Sequence, residues 1–279
     1  MHLMQEQLIT RPDGARIRIL DHAHRLATPN AAAPTLVLSN SLATDASLWD
    51  EVIGRIGARI RLIGYDTRGH GASTSPGAST TLATLADDLF AVMDACGVDK
   101  AFIAGISLGG MTGQQCALAQ PKRMLGLIAC NCRASIDAAG IAGWEQRLQV
   151  LRDGGIDALA ALTLERWFTP EYRAANPQVI ERVRGMIRTT SAIGYEACVR
   201  AIQALDLLDA ITDIQMPVLL VAGEQDAAAA PSAMQAMQKA IAGSHLEVLD
   251  PCGHLSSVQR PDDLAALIEQ FIDTAGARP

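Results

Sequence analysis

Short apolar runs alternate along the chain with longer stretches in which apolar residues recur at helical spacing. The runs are rich in β-branched and aliphatic residues, and their alternation with helical stretches predicts a mostly parallel sheet joined by crossover helices. The predicted strands cover residues 35–39, 60–65, 101–104, 124–130, 218–222 and 245–249, and the predicted helices cover residues 81–95, 109–119, 232–241 and 261–274. Ahead of them, the turn sequence Arg11-Pro12-Asp13-Gly14 predicts an antiparallel hairpin at the start of the sheet.

The alternation stops between residues 133 and 212, where the pattern becomes helical. Breaks in this stretch are indicated at Gly154-Gly155, Pro170 and Pro177. A strand series that is interrupted by a helical block and then resumes suggests a cap inserted over one end of the sheet. We therefore predict an α/β core of residues 1–132 and 213–279 and a helical cap of residues 133–212.

Composition narrows the class of protein. The chain has 279 residues, of which 49% are hydrophobic and 19% are charged, as is typical of a globular protein. Its 23 basic and 30 acidic residues give a net charge of −7, which argues against nucleic-acid binding because that needs a basic surface. No apolar stretch reaches the roughly 18–20 residues that span a bilayer, and the start lacks the basic and apolar regions of a signal peptide. We expect a soluble, cytoplasmic protein without a membrane partner.

The six cysteines show no paired C-x-x-C spacing. This pattern indicates neither a disulfide framework nor a zinc site. We expect reduced and mostly buried thiols.

A G-x-S-x-G sequence follows one of the predicted strands. Gly105-Ile106-Ser107-Leu108-Gly109 lies between the apolar run 101–104 and a helical stretch, which is the strand, turn and helix context that a nucleophile motif requires. Larger side chains at the two glycine positions that flank Ser107 in the motif would collide with neighbouring backbone in so sharp a turn. We predict that Ser107 is a catalytic nucleophile; the alternative is a glycine-rich turn without chemistry.

A serine hydroxyl needs a base, and the base needs a carboxylate to hold it; on this kind of scaffold the chain order is serine, acid, histidine. Asp226 lies beyond the tip of the strand at 218–222, and His254 follows the next strand. We predict His254 as the base and Asp226 as the acid, with Glu224 as the alternative acid. His70 lies in a tight loop, where a structural hydrogen bond is the expected role.

The negative oxygen that develops during acyl transfer needs preorganised donors. We predict the backbone N–H of Leu108 as one donor and that of Leu42, in the loop after the strand at 35–39, as the other. The alternative for this loop is an ordinary turn of asparagine and serine.

With these residues in view, the chain resembles the α/β-hydrolase fold and, within it, the 3-oxoadipate enol-lactonases. The resemblance runs over nearly the whole chain. It is carried by Leu38-Ser39-Asn40-Ser41-Leu42, Tyr65-Asp66-Thr67-Arg68-Gly69-His70-Gly71, Gly105-Ile106-Ser107-Leu108-Gly109-Gly110, Arg166-Trp167-Phe168-Thr169-Pro170 and His254-Leu255-Ser256. Ala43 stands where these lactonases usually have glycine.

The resemblance implies hydrolysis of 3-oxoadipate enol-lactone to 3-oxoadipate through an acyl-enzyme on Ser107, with no metal and no organic cofactor. This substrate carries a carboxylate, so a protein of negative net charge needs local positive potential to bind it. Arg133 is the first candidate for binding that carboxylate, with Arg147 and Arg166 behind it. The alternative for the cap arginines is a solvated or helix-pairing role.

Aromatic residues of the cap are further candidates for substrate contacts. We predict that Trp144 and Trp167, together with Phe168, wall the pocket; the alternative is that they pack the cap onto the core. The substrate would be a small ester or lactone.

Two other classes of function stay open from the sequence. One is another cofactor-free hydrolase of the same fold: a carboxylesterase, a C–C bond hydrolase, a perhydrolase or an acyltransferase. The other is a non-catalytic ligand receptor, which would need none of the three predicted catalytic residues. The oligomeric state is not evident from the sequence.

Overall fold

The structure, a computed structural model, describes residues 4–27, 33–77 and 79–276. Its centre is an eight-stranded sheet in the order β1-β2-β4-β3-β5-β6-β7-β8. The strands are β1 (Gln5–Thr10), β2 (Arg16–Asp21), β3 (Thr35–Ser39), β4 (Arg61–Tyr65), β5 (Ala101–Ile106), β6 (Met124–Cys130), β7 (Val218–Gly223) and β8 (His245–Leu249). Residues 1–3, part of the start that we interpreted as lacking a signal peptide, lie outside the described residues.

The sheet is parallel from β4 to β8 in its spatial order, and only β1 and β2 run antiparallel to their neighbours. The hairpin of β1 and β2 confirms the prediction made from the turn at residues 11–14, and all six predicted strands are present. β3, β5 and β7 are buried along their whole length, as expected for strands covered on both faces. Since parallel strands end at the same edge, the loops after β3, β5, β6, β7 and β8 meet there.

Helices flank the sheet. They are α1 (Asp50–Arg55), α2 (Leu82–Ala95), α3 (Leu108–Ala119), α8 (Pro231–Ala240), α9 (Ser256–Gln259) and α10 (Pro261–Gly276). Four of them confirm predicted helices, whereas the short α1 and α9 were not predicted. Local signals fix their starts: Thr81 accepts a hydrogen bond from the N–H of Thr84 to begin α2, and Pro261 occupies the first position of α10.

Between β6 and β7 the chain forms four helices, which we call the cap helices: α4 (Ala138–Trp167), α5 (Pro170–Ala175), α6 (Pro177–Thr189) and α7 (Ala192–Gln203). The predicted breaks fall where expected, because Gly155 kinks α4 with φ of 71° and prolines 170 and 177 begin α5 and α6. The division into a core and a cap with boundaries at 133 and 212 stays a prediction.

A close backbone contact joins α7 to the loop after β4. The Cα atoms of Gly194 in α7 and Gly69 in the loop after β4 approach so closely that a Cβ on either residue would clash with backbone of the other. Next to it, the N–H of Ser191 donates to the Gly69 carbonyl at 2.9 Å. In the described part of the chain, no helix combines the length and apolarity that crossing a membrane requires.

Candidate active site

Ser107 lies on a strained turn between β5 and α3. Its φ and ψ are 55° and −113°, a conformation that is costly for a residue with a side chain and that is typical of functional sites. The turn depends on its glycines, since a Cβ at position 105 would overlap the Gly109 carbonyl and one at position 109 would overlap the carbonyl of Ser39. The sequence therefore folds locally so that the Ser107 side chain reaches the cavity described below.

His254 and Asp226 form a hydrogen-bonded pair. The Nδ1 atom of His254 lies 3.0 Å from Oδ1 and 2.9 Å from Oδ2 of Asp226, and both side chains are buried. Oδ1 of Asp226 also accepts hydrogen bonds from the N–H groups of Ala228 and Ala229 at 2.7 and 2.8 Å. The alternative acid, Glu224, is exposed.

The Asp226 carboxyl stays ionised in this setting. Burial raises its pKa, but the nearby His254, the N–H of Ala229 and the amide of Asn131 together lower it by more, so that the pKa lies below its ordinary value of 3.8. A carboxylate held in this way can fix the imidazole tautomer in which Nδ1 carries the proton and Nε2 is free to accept one.

Of the two residues predicted as oxyanion donors, one follows Ser107 in the chain and the other lies in the wall of the same cavity. Leu108 is the first residue of α3, where a backbone N–H has no acceptor within its own helix, and Leu42 lines the same cavity as Ser107. The next residue, Ala43, has φ of 61°, which gives a physical reason for glycine at this position in the lactonases that the sequence resembles.

A cavity of about 620 Å³ joins these groups. Ser107 and His254 lie in its wall together with residues of α4 from the cap, including Arg147 and Arg166. Arg133 also lines it and donates a hydrogen bond from Nη2 to the carbonyl of Ala228 at 2.7 Å.

Three arginines place positive charge in the wall of the cavity. Within residues 4–27, 33–77 and 79–276, none of Arg133, Arg147 and Arg166 forms an ion pair. Burial and the charge of Arg166 lower the pKa of Arg147, and burial and the charge of Arg133 lower that of Arg166. The arginines thus repel one another across the cavity, which an anionic ligand would relieve.

Comparison with known proteins fits this geometry. A family model described as alpha/beta hydrolase fold matches residues 34–261. The chain belongs to the α/β-hydrolase family. A 3-oxoadipate enol-lactonase (enol-lactonase 2) from Acinetobacter baylyi is 35% identical to this α/β-hydrolase over 239 residues, which are 86% of this chain and 88% of that protein.

Solved structures give the same result. The enol-lactonase from Burkholderia xenovorans LB400 superposes on this α/β-hydrolase with a TM-score of 0.87 and 32% identity, over 93% of this chain and 97% of that one. A hydrolase from Pseudomonas aeruginosa gives a TM-score of 0.88 and 32% identity, over 96% and 98% of the two chains. These relatives place this α/β-hydrolase among the carboxylic ester hydrolases, and they confirm the fold and the family resemblance inferred from the sequence.

The two tryptophans predicted to contact substrate both line the cavity of this α/β-hydrolase. The ring of Trp144 lies 4.9 Å from Cζ of Arg147, a cation–π distance. Trp167 is buried with its ring 5.9 Å from that of His254, and its carbonyl accepts the N–H of His254 at 2.8 Å. Phe168 does not line the cavity and stacks on Tyr172 instead.

His70 and the six cysteines are not among the residues that line the cavity of this α/β-hydrolase. His70 is buried, with Nδ1 at 2.9 Å from the carbonyl of Arg68, which agrees with its predicted structural role. All six cysteines are unpaired thiols, and five of them are buried. Within the described ranges, no group of three or more acidic, histidine or cysteine side chains is arranged to hold a metal ion.

Sequence reasoning missed Asn131, which contacts the acid of the predicted triad in this α/β-hydrolase. Its Nδ2 donates to Oδ2 of Asp226 and to the carbonyl of Gly253, both at 3.1 Å. A signal was available, since a polar residue directly follows the predicted strand at 124–130, where the carboxyl ends of parallel strands carry functional groups.

Proposed function

We propose that this protein hydrolyses 3-oxoadipate enol-lactone to 3-oxoadipate by a serine mechanism. The observation that carries the proposal is a single cavity that contains Ser107 and His254, with the His254 ring held by Asp226. The two enol-lactonases reported above support the choice of substrate.

The first half of the proposed reaction forms an acyl-enzyme. The Oγ atom of Ser107 attacks the lactone carbonyl while Nε2 of His254 takes its proton, and Asp226 stabilises the resulting imidazolium. The backbone N–H groups of Leu42 and Leu108 donate to the negative oxygen, an interaction worth about 3–4 kcal/mol per donor in comparable sites. Collapse of the intermediate breaks the ring C–O bond, and the enolate oxygen leaves with a proton from His254.

The second half releases the product. His254 takes a proton from water, the hydroxide attacks the acyl carbonyl, and Ser107 leaves with the proton from His254. The enol becomes the 3-oxo group, and the net change is addition of one water to the lactone. Each step uses groups that line or adjoin one cavity.

The arginines support an anionic substrate. Three guanidinium groups line the cavity, whereas Asp137 and the His254-bound Asp226 are the acidic residues near it. A substrate carboxylate would offset part of the mutual repulsion of the arginines. We propose that Arg133, Arg147 and Arg166 together bind it, with Trp144 and Trp167 walling the pocket.

A Ser107→Ala substitution tests the mechanism. We expect the variant to lose hydrolysis of both the enol-lactone and p-nitrophenyl acetate by at least about 1,000-fold, as in other serine hydrolases that lose their nucleophile. A p-nitrophenyl phosphonate should label the unmodified protein on the peptide that contains Ser107, as read by mass spectrometry.

Ser257→Ala is a matched control. Ser257 is buried, whereas Ser107 is only partly buried, and the Ser257 hydroxyl donates to the carbonyl of Leu48, so this variant should keep turnover and labelling. Turnover of Ser107→Ala near that of the unmodified protein would refute the mechanism. Turnover of p-nitrophenyl acetate without any reaction of the enol-lactone would leave the serine mechanism standing and refute the substrate, in favour of a carboxylesterase.

A further inference from the structure

Asn131 connects three loops at the carboxyl edge of the sheet. It directly follows β6, and its backbone N–H donates to the carbonyl of Val221 in β7 at 2.8 Å. Its side-chain amide reaches Asp226 in the loop after β7 and the Gly253 carbonyl in the loop after β8, each at 3.1 Å. Both acceptors are oxygens, so only the NH₂ end of the amide can face them.

Two costs accompany this placement. Asn131 has φ of 48°, a left-handed conformation that disfavours most residues with side chains. Its Oδ1 atom is buried and has no hydrogen-bond partner among the described residues, although burying an unpaired polar atom destabilises a fold by about 1–3 kcal/mol. An apolar residue or glycine would avoid the second cost, which suggests that the two N–H donations have a function.

We propose that Asn131 is a positioning residue that holds Asp226 and the His254 loop in a fixed relation. Its amide gives one proton to the acid and the other to the residue that precedes the base. The two loops are thereby joined by one rigid group. This inference rests on the proposed serine mechanism.

The acceptor pattern of Asp226 shows what this amide contributes. Oδ1 accepts from two backbone N–H groups and lies 3.0 Å from Nδ1 of His254, whereas the partners of Oδ2 among the described residues are His254 and Asn131. Loss of the amide would leave Oδ2 with the imidazole as its single partner. The carboxylate could then rotate, and the imidazole that it holds would turn with it, away from the orientation in which Nε2 takes the Ser107 proton in the proposed mechanism.

Removing a donor from Asp226 also changes its protonation. The charged and titratable groups that face Asp226 are His254, Arg166, Cys132 and Cys252, and none of the other three donates a hydrogen bond to Oδ2 as Asn131 does. Without the amide, the ionised form of the acid is less stabilised. The pKa of the Asp226 carboxyl would then rise.

Asn131→Gly is the first test, because glycine accepts the left-handed backbone at no steric cost. We expect kcat for p-nitrophenyl acetate to fall by about 10- to 100-fold, the usual effect of losing an outer hydrogen bond to a functional side chain, with KM changed less than about threefold. The acid limb of the kcat/KM profile should move to higher pH by roughly 0.5 to 1 unit. A merely structural role would change neither kcat at fixed KM nor the pH profile.

Asn131→Asp provides a second variant in case the glycine variant does not fold. Aspartate also tolerates the left-handed region and keeps the shape of the side chain, but it places oxygens where both donations were made. It should lose kcat at neutral pH at least as much as Asn131→Gly. Normal kcat and a normal pH profile in whichever variant folds would overturn the proposal.

Gln114→Leu is a control for loss of a buried amide. Gln114 in α3 is fully buried and donates to the carbonyls of Gly110 and Arg133 and to Sγ of Cys132. Its Oε1 has no hydrogen-bond partner among the described residues, so it resembles Asn131 as a buried amide with an unpaired oxygen, but it does not touch Asp226. Its substitution should lower stability in urea but leave the pH profile unchanged. Measuring Ser107→Ala beside these variants distinguishes failure of the positioning role from failure of the serine mechanism. If Ser107→Ala is inactive and Asn131→Gly behaves as the unmodified protein, only the positioning role of Asn131 is wrong. If Ser107→Ala is active, both the serine mechanism and the positioning role are wrong.

Discussion

The cavity arginines give a prediction that distinguishes an anionic substrate from a neutral one. Arg147 and Arg166 are each replaced by methionine, which keeps much of the length of the side chain and removes its charge. Arg147 is half-buried against Trp144, whereas Arg166 is more exposed, so solvent screens its charge more strongly. We therefore expect the larger effect at Arg147.

The size of the effect follows from the type of contact. A hydrogen bond between charged groups contributes about 1.5–3 kcal/mol, and each 1.4 kcal/mol corresponds to about tenfold in kcat/KM. Arg147→Met should lower kcat/KM for the enol-lactone by about 30- to 100-fold and Arg166→Met by about 5- to 20-fold, if each arginine donates one such bond. For the neutral p-nitrophenyl acetate, both variants should stay within about threefold of the unmodified protein.

Arg133→Met serves as a comparison. Because the Arg133 guanidinium also donates to the carbonyl of Ala228, next to the loop that holds Asp226, its loss should slow both substrates while still slowing the enol-lactone more. Steady-state kinetics on both substrates, with urea unfolding to check stability, measure all three variants. Equal losses on the two substrates for Arg147→Met and Arg166→Met would refute the anion-binding role.

Two further predictions concern stability. Burial lowers the pKa of His70 from 6.5 to about 4. Between these two pH values the unfolded chain binds a proton at His70 that the folded chain does not, so the folded state loses stability as the pH falls. We expect the free energy of unfolding to decrease by about 2 kcal/mol between pH 7 and pH 5. Urea unfolding at the two pH values should show a smaller decline for His70→Gln, and an equal decline would contradict this account. Gly109→Ala should destabilise the fold by about 1–3 kcal/mol, because the new Cβ overlaps backbone of Ser39. Gly185 in α6 has open space around it, so Gly185→Ala should be neutral or stabilising. Equal effects of the two substitutions on urea unfolding would refute the steric argument.

Local patterns predicted most of the fold. The strand from Met124 to Cys130 and the breaks at prolines 170 and 177 appear as expected, because buried strands need apolar runs and proline interrupts a continuing helix. Helix α1, six residues from Asp50 to Arg55, was missed. A helix of under two turns gives too short a periodicity to detect, and it is held by packing against α10 at the other end of the chain.

Some residues of the candidate site could also be predicted from local sequence, whereas others could not. Ser107 could be placed from its neighbours, because the strained turn needs glycines two residues away on either side. The contacts of Asn131 and Arg133 could not, since each bonds a group 95 residues away along the chain. Sequence spacing gives no information on which side chains meet across adjacent loops. It also does not tell whether the guanidinium of an arginine contacts substrate or a backbone carbonyl.

The hydrogen bond between the N–H of His254 and the Trp167 carbonyl constrains how this enzyme can be re-engineered. Replacing α4 with a helix from another family member to change substrate preference would also replace the acceptor that anchors the backbone of His254, the proposed base. Chimeras that exchange only residues 138–160, and keep the last turn of α4, should therefore retain turnover more often than exchanges of the whole helix. In this proposal, the first part of α4 affects substrate preference, and its last turn holds the backbone of His254.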